Sequence, residues 1–217
     1  MAQLNVNPTR MELTRLKKSL AVAMRGHKLL KDKRDELMRQ FLDIVREAKV
    51  LRENTEEKLS AANRSLAVAG SVLQREVIDS ALLLPKQEVT LEVGTKNIMS
   101  VDIPVFTSKL RSKSQGDMFS YGYAFTGGDL DDAISELADV SADLLKLAEL
   151  EKAAGLLAGE IERTRRRVNA LEYVMIPNYQ DTIRYITMKL DEADRSNTTR
   201  LMKIKDMMVA ERITKEN

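Results

Sequence analysis

The chain has 217 residues and carries 35 basic and 33 acidic side chains, so its net charge is only +2. This near balance argues against nucleic acid as the main partner, because phosphate binding depends on a basic excess. The absence of cysteine excludes disulfides and cysteine-based zinc sites, and it suits a reducing compartment. With 31% charged and only 4% aromatic residues, the composition favours long helices over a sandwich or barrel.

Nothing in the sequence is typical of a membrane span or a signal peptide. The chain contains no run of about 18 apolar residues, which is the length that a spanning helix requires. Its first ten residues, MAQLNVNPTR, lack the apolar stretch of a secretory signal. We therefore expect a cytoplasmic protein that is not inserted into a membrane.

The first predicted domain, residues 1–84, is one long helix of a coiled coil. Asn7 is the expected N-cap, and Pro8 suits the first helical position, where a missing N–H costs nothing. Apolar residues then recur at spacings of three and four, which is typical of a two-stranded seam. Beyond Leu51 an extra four-residue step predicts local unwinding of the supercoil. The helix is expected to end before Pro85, after roughly 110 Å at 1.5 Å per residue.

Two polar residues, His27 and Arg34, interrupt this seam. His27 is the only histidine of the chain, and a pH sensor or a metal ligand is one interpretation. A lone histidine without cysteine or a suitable carboxylate spacing makes no metal site. A partly hydrated seam position, or one that faces a partner, is the interpretation that the pattern favours. Arg34 is expected to lay its stem along the seam with its head in water or on a carboxylate.

The second predicted domain, residues 85–128, contains a small β-hairpin. Apolar residues alternate over 89–93 and again over 99–105, with turn-forming residues between them at 94–97. Pro104 removes a ladder donor, so the second strand should lie at an edge there. Two or three strands without a covering layer are marginal alone, so the hairpin should lean on the helices or on a partner.

Four aromatic residues alternate around Gly122 near the end of this segment. They form either a third short strand or a packed loop. One interpretation is that they cover the open end of the coiled coil, and the other is that they form a docking surface for another protein of a complex. The residues are Phe119, Tyr121, Tyr123 and Phe125.

The third predicted domain, residues 129–217, is the second long helix of the coiled coil. Asp129 is the expected N-cap, and Asp131 and Asp132 place negative charge in the first turn, where the helix dipole favours it. Pro177 lies within the apolar pattern. It should kink the helix or loosen one turn, at a cost of about 3 kcal/mol unless packing compensates.

A run of arginines is the strongest local basic cluster. The default interpretation is a solvated charged face, and the alternative is a patch that meets acidic loops of a partner. The run consists of Arg163, Arg165, Arg166 and Arg167.

The sequence contains no pattern that indicates catalysis or a cofactor. It lacks a G-x-x-x-x-G-K-[ST] phosphate loop, a G-x-S-x-G elbow and an H-E-x-x-H motif. The predicted fold is mainly α: a long two-stranded antiparallel coiled coil of the N- and C-terminal helices, with a small β-hairpin region in the middle. Such a pair offers no deep concave site, so function is expected to lie in shape and contacts.

Three stretches resemble the signatures of a known family. Residues 7–17 (NPTRMELTRLK), residues 25–37 (RGHKLLKDKRDEL) and residues 164–173 (TRRRVNALEY), followed by Ile176 and Pro177, are similar to the D subunits of the vacuolar-type and archaeal-type rotary ATPases. The similarity covers nearly the whole chain and is weakest over residues 85–128.

The resemblance implies a non-catalytic rotor shaft that couples ATP hydrolysis or synthesis to proton or sodium transport. Its implied partners are the catalytic and regulatory nucleotide-binding subunits of a hexamer, the small F subunit of the stalk, and a socket subunit on the membrane ring. It also implies a position peripheral to the membrane. Basic residues near the inserted tip are then expected to meet the hexamer: Arg10, Arg15, Lys17, Lys18, Lys203 and Lys205. The alternative is a static coiled-coil scaffold or tether with a hairpin-borne binding tip.

Overall fold

The structure, a computed structural model, describes residues 6–112, 115–122 and 126–216, apart from the side chains of residues 115 and 211–216. Its regular elements are α1 (Arg10–Val72), α2 (Arg75–Leu82), β1 (Val89–Ile98), β2 (Val101–Leu110), α3 (Gly128–Ala170) and α4 (Ile176–Glu216). A 3₁₀ turn, Gln115–Met118, lies between β2 and α3, and a π-helical turn, Leu171–Met175, joins α3 to α4. Long N- and C-terminal helices with a central antiparallel hairpin confirm the predicted fold class.

The first helix is capped by Thr9 rather than by Asn7. The backbone N–H of Glu12 donates to the Thr9 hydroxyl at 3.3 Å, and the N–H of Leu13 donates to the Thr9 carbonyl at 3.0 Å. Asn7 instead accepts the Thr9 N–H through its own carbonyl at 2.9 Å. A threonine followed three residues later by a glutamate is the spacing of a capping box, and here it decides where the helix begins.

The predicted uninterrupted first helix is broken after Val72. Gln74 adopts an extended conformation with φ −64° and ψ 140°, and the short helix α2 starts after it. Gly70 and Ser71 weaken the preceding turn, because both are poor residues for a helix interior. The Ser71 hydroxyl also donates to the Val68 carbonyl at 2.7 Å.

The chain divides into two compact units, and the first comprises residues 1–34 and 163–217. Within it the start of α1 runs antiparallel to α4 and the end of α3. Arg10 Nη2 lies 2.7 Å from Asp194 Oδ2, and His27 Nε2 lies 3.4 Å from Glu172 Oε2. The buried seam of this unit is narrow: Leu16, Thr182 and Ile186 lie between these two contacts, and Thr164 and Val168 lie beyond the His27–Glu172 contact.

The second unit comprises residues 35–162, and in it α1 and α3 also pair antiparallel. Small buried side chains such as Ala62, Ala69 and Ala133 allow the two helices to approach closely. Thr55 is buried in the same seam, where its hydroxyl donates to the Leu51 carbonyl at 2.7 Å. Polar contacts cross between the helices, among them those of Arg52 with Glu151, Lys58 with Asp143 and Ser65 with Glu136.

The hairpin belongs to the second unit and forms the core of that unit together with α1 and α3. Val101 and Ile103 of β2 are buried against α1 and α3. The backbone N–H of Phe106 donates to Glu149 Oε2 at 3.0 Å and fixes β2 along α3. The buried cluster consists of Leu37, Val101, Ile103, Ala153, Leu157 and Ile161.

The hairpin turn lies at Met99 and Ser100, and the predicted turn around Gly94 is wrong. Both residues have positive φ, 49° and 70°, as a two-residue type I′ turn requires. Asn97 supports this turn, since its Oδ1 accepts the Ser100 N–H at 3.1 Å and its Nδ2 donates to Asp102 at 2.6 Å. Gly94 instead lies inside β1, so this glycine is a strand residue and not part of the turn.

The second helical stretch begins at Gly128, one residue before the predicted N-cap. The Leu130 N–H donates to the Gly127 carbonyl at 3.1 Å, so Asp129 belongs to the first turn. Asp129 and Asp131 both place negative charge there, in agreement with the expected dipole interaction.

The predicted loosening at Pro177 is confirmed. Proline has no N–H, so the Tyr173 carbonyl, four residues earlier, has no helical donor. The chain accommodates this with a wider turn, in which the Ile176 N–H reaches the Leu171 carbonyl five residues back.

The core of the second unit yields a stability prediction with an adjacent control. Replacing Leu157 with alanine should lower the free energy of unfolding by about 2–5 kcal/mol, because the substitution leaves a cavity beneath Val101 and Ile103. Urea denaturation of the whole chain measures this. Leu156→Ala, at an exposed neighbouring position, should cost well under half as much. Equal losses in the two variants would contradict this assignment of the core.

The Lys58–Asp143 contact yields a prediction for pH. The hydrogen bond from Lys58 at 2.6 Å lowers the pKa of Asp143 below its ordinary 3.8, and the same bond raises the pKa of Lys58 above 10.5. The Asp143 contribution is present above pH 3.8 and disappears as pH falls through the lowered pKa; the Lys58 contribution is present below pH 10.5 and disappears at higher pH.

Asp143→Asn should therefore reduce stability slightly at neutral pH, and the difference from the parent chain should shrink as pH falls below 3.8. Urea midpoints over an acid pH series report this difference. Asp43→Asn, whose partner Arg46 is 3.5 Å away on the same exposed helix face, serves as the control and should have a smaller effect. A deficit for Asp143→Asn that is the same at every pH would rule out the ion pair as its source.

Candidate interaction surfaces

The described residues offer surfaces rather than an enclosed chemical site. They contain no group of three or more His, Asp or Glu residues placed to hold a metal ion. A solvent-open groove of about 620 Å³ runs between α1 and α3 in the second unit, with Val50, Leu51 and Leu150 among its lining residues. Glu149 at its edge is already engaged by β2. The groove is therefore an open surface feature of the α1–α3 pair and not an enclosed site.

The last part of α4 is an exposed helix, here termed the terminal surface and defined as residues 197–210. Every residue in this range is exposed. Asp194, which pairs with Arg10 at the start of α1, precedes it, so the terminal surface continues past the beginning of α1 within the first unit. Its exposed apolar residues are Leu201, Met202, Ile204, Met207, Met208 and Val209.

The basic residues predicted near the tip all lie in the first unit. Arg10 pairs with Asp194, and Arg15 pairs with Glu12 of its own helix at 3.4 Å. Lys17 and Lys18 are exposed on α1. Lys203 and Lys205 are exposed on the terminal surface, about 13–17 Å along α4 from Asp194 at 1.5 Å per residue.

The predicted arginine run belongs to a larger basic region, here termed the basic belt and defined as residues 25–34 and 163–172. The two segments run side by side, because His27 in one contacts Glu172 in the other. Together they carry nine basic and two acidic side chains. Since the whole chain has a net charge of +2, the remainder is net negative, and positive charge is concentrated in the belt.

The hairpin exposes an apolar face on β1. Val89, Leu91 and Val93 alternate along the strand and are all exposed, although Val101 and Ile103 of the partner strand are buried. The sheet therefore has one face in the core and one face in solvent. This outward face is continuous enough to contact another protein.

The aromatic residues before α3 form a packed loop in the described part, not a third strand. The rings of Phe119 and Tyr121 meet edge to face, with centroids 6.2 Å apart. The Tyr121 hydroxyl donates to Asp131, and the Ser120 hydroxyl donates to the Ala81 carbonyl at 3.2 Å. These contacts tie the loop to α2 and α3. Tyr123 and Phe125 lie outside the described residues.

The structure thus distributes the predicted site residues over both units. The tip lysines and arginines and the arginine run belong to the first unit, whereas Phe119 and Tyr121 belong to the second. The sequence did not reveal that the apolar residues of the terminal surface are exposed, nor a second exposed apolar group on the π-helical turn, which consists of Tyr173, Val174 and Met175. Pro177 was the signal that could have identified the second group, because a proline four residues after a tyrosine perturbs the turn between them.

Two long antiparallel helix pairings, a hairpin packed on one of them and several exposed apolar and basic surfaces define a coiled-coil interaction protein. No helix in the described part of the chain combines the length and apolarity needed to cross a bilayer. Residues 12–206 match the family of ATP synthase D subunits. The chain belongs to this family.

Close relatives match along nearly their full lengths. The D subunit of the V-type ATP synthase of Clostridioides difficile is 60% identical over 209 residues, which cover 96% of this chain and 94% of the relative. The protein of the same name from Acetivibrio thermocellus is 58% identical with the same coverage. The one from Clostridium botulinum strain Alaska E43 is 51% identical and covers 96% and 98% of the two chains.

Proposed function

We propose that this chain is the non-catalytic rotor shaft, or central stalk, of a V-type rotary ATPase or ATP synthase. In this role it couples ATP hydrolysis or synthesis in a hexamer of nucleotide-binding subunits to proton or sodium transport. Family membership and the long antiparallel helix pairing support the proposal. The shaft acts peripherally on the cytoplasmic side of the membrane.

The terminal surface is the observation that carries this proposal. A single helix with six exposed large apolar side chains over residues 201–209 is unfavourable in water, because soluble proteins rarely expose contiguous apolar patches of this kind. An amphipathic helix on a protein surface would keep such residues on one face. Here, at 3.6 residues per turn, they extend over more than half of the helix circumference. This distribution suits insertion into a surrounding sleeve made by the hexamer.

The charged surface of the first unit is compatible with rotation inside such a sleeve. Exposed ion pairs are each worth only about 0–1 kcal/mol, so contacts from Lys17, Lys18, Lys203 or Lys205 to the sleeve would not lock one orientation. Rotation still requires the shaft to differ from side to side. Each orientation then changes the relative energies of the open and closed states of the hexamer.

The second unit supplies the contacts with the remaining partners of the proposed complex. The exposed face of β1 is the proposed docking surface for the small F subunit of the stalk, because it is apolar and is held on a rigid core. The loop that contains Phe119 and Tyr121 is the proposed contact with the socket subunit on the membrane ring. These assignments place different partners on different surfaces of the unit.

Truncating the terminal surface separates a shaft from a static scaffold. Deleting residues 205–217 should reduce ion transport per ATP hydrolysed by at least several-fold in a reconstituted complex, because the shaft loses contacts with the surrounding hexamer. Ion flux and phosphate release, measured on the same vesicles, report this ratio. Thermal unfolding of the isolated chain is the control and should change little, since residues 205–210 are exposed. A scaffold predicts an unchanged ratio.

The proposed role of the β1 face is tested without disturbing the core. Replacing Leu91 and Val93 with threonine preserves strand propensity while removing apolar surface, so binding to the small F subunit should weaken about tenfold. Isothermal titration of the two purified proteins measures the affinity. Thr90→Ser and Thr95→Ser together form the matched control on the same strand and should bind normally. Normal binding by the Leu91 and Val93 variant would remove this face from the interface.

A further inference from the structure

Methionine supplies half of the exposed large apolar side chains on the terminal surface. The three residues are Met202, Met207 and Met208, and each is more than half exposed. The chain contains no cysteine, so methionine thioethers are its only sulfur atoms. An oxidant in solution therefore meets these thioethers directly, and no thiol of the same chain competes for it.

The three methionines are spread around the helix. At about 100° per residue, Met207 lies about 140° from Met202, and Met208 lies about 240° from Met202. The branched aliphatic residues of the terminal surface fall within an arc of about 140°. They are Leu201, Ile204 and Val209. All six side chains together cover about 220°, and methionines supply both ends of that wider arc.

Oxidation by a hydroperoxide converts the methionine side chain from apolar to polar. The thioether sulfur attacks one oxygen of hydrogen peroxide, so that an S–O bond forms and the O–O bond breaks. The departing hydroxide takes the proton of the transferred oxygen and leaves as water. Sulfur is thereby oxidised to a sulfoxide, and the peroxide is reduced. A polar sulfoxide that loses its water without gaining a hydrogen bond costs free energy, so it opposes burial in an interface.

We infer that Met202, Met207 and Met208 form a redox-sensitive modification site, at which peroxide oxidation weakens insertion of the terminal surface into the hexamer. The inference rests on the proposed function, because the site acts through that insertion. Oxidation of all three narrows the apolar arc from about 220° to about 140°. The unassembled chain is the form that is oxidised, since insertion covers these side chains. Methionine sulfoxide reductases regenerate the thioethers, so the effect is reversible.

The test treats the full-length chain with hydrogen peroxide, removes the oxidant, and measures binding to a V-type nucleotide-binding hexamer assembled without its shaft. Oxidation should weaken binding of the parent chain at least about tenfold, because several apolar contacts are lost together. A triple variant with leucine at 202, 207 and 208 keeps apolar volume and helix propensity. Its affinity after peroxide should match its own affinity before treatment. Mass spectrometry of peptides identifies the oxidised positions.

A second triple variant is the matched control. It places leucine at three other methionines of the first unit, Met11, Met24 and Met188, which are also more than half exposed. This variant retains the terminal methionines, so peroxide should weaken its binding as much as that of the parent chain. Circular dichroism of the oxidised parent should show unchanged helicity and melting, because every residue of the terminal surface is exposed.

The outcomes separate the modification site from the function on which it rests. A parent chain that fails to bind the hexamer before oxidation overturns both. A parent chain that binds, loses binding on deletion of residues 205–217, but binds normally after oxidation overturns the modification site alone. Protection by the control substitutions, or sensitivity of the terminal leucine variant, assigns the effect to other methionines and also overturns the site.

Reduction of the oxidised parent chain provides an independent measurement, which decides the matter even where the terminal leucine variant binds poorly before treatment. Methionine sulfoxide reductases should restore binding as they return the three sulfoxides to thioethers. Complete reduction at these positions without recovery of binding overturns the site, because the loss then comes from damage elsewhere in the chain.

Discussion

Two helices lying side by side bury only a narrow strip of each other, and this constraint governs the whole molecule. In the first unit the strip contains few large apolar residues, and threonines occupy two of its buried positions. Thr182 remains compatible with burial because its hydroxyl donates to the Asn178 carbonyl at 2.7 Å within the same helix. Thr55 uses the same arrangement in the second unit. In a seam of this kind the shapes of the buried side chains set the register of the two helices. Most of the surface of each helix remains in solvent.

The hairpin overcomes the constraint locally by adding a third layer to the second unit. Val101 and Ile103 cover Leu37 and Leu157, which are completely buried beneath them. A two-stranded sheet is marginal alone, so the helices stabilise the hairpin as much as the hairpin covers the helices. Because β2 carries the buried contacts and the hydrogen bond to Glu149, β1 is left with an exposed apolar face. The buried contacts and the exposed apolar residues therefore lie on opposite faces of the same hairpin.

The long helices could be predicted from the periodicity of apolar residues, whereas the positions of turns, caps and breaks were predicted less well. Spacings of three and four predicted the long helices, because a buried strip on a helix must recur at that interval. The turn was misplaced because Gly94 has the composition of a turn, whereas the side-chain contacts of Asn97 fix it at Met99 and Ser100. The break at Gln74 and the cap at Thr9 were also missed, although the sequence carries a signal for each. Gly70 and Ser71 are poor residues for a helix interior, and Glu12 follows Thr9 at the spacing of a capping box.

The surfaces that the seam leaves uncovered differ along the first unit, and within the proposed function this difference is what a turning shaft requires. The exposed apolar residues of the terminal surface extend over more than half of the helix circumference, whereas the basic belt and the π-helical turn place charge and an aromatic ring on narrower faces. A contact that is uniform around the axis permits rotation but cannot favour one member of a surrounding ring. A contact confined to one face can do so, because its energy depends on which member it meets. Within the proposed function, the contact that permits rotation lies on α4, and the contact that distinguishes members of the ring lies on the basic belt and the π-helical turn. Pro177 contributes to that separation, because the widened turn it requires changes the face on which Tyr173 is presented.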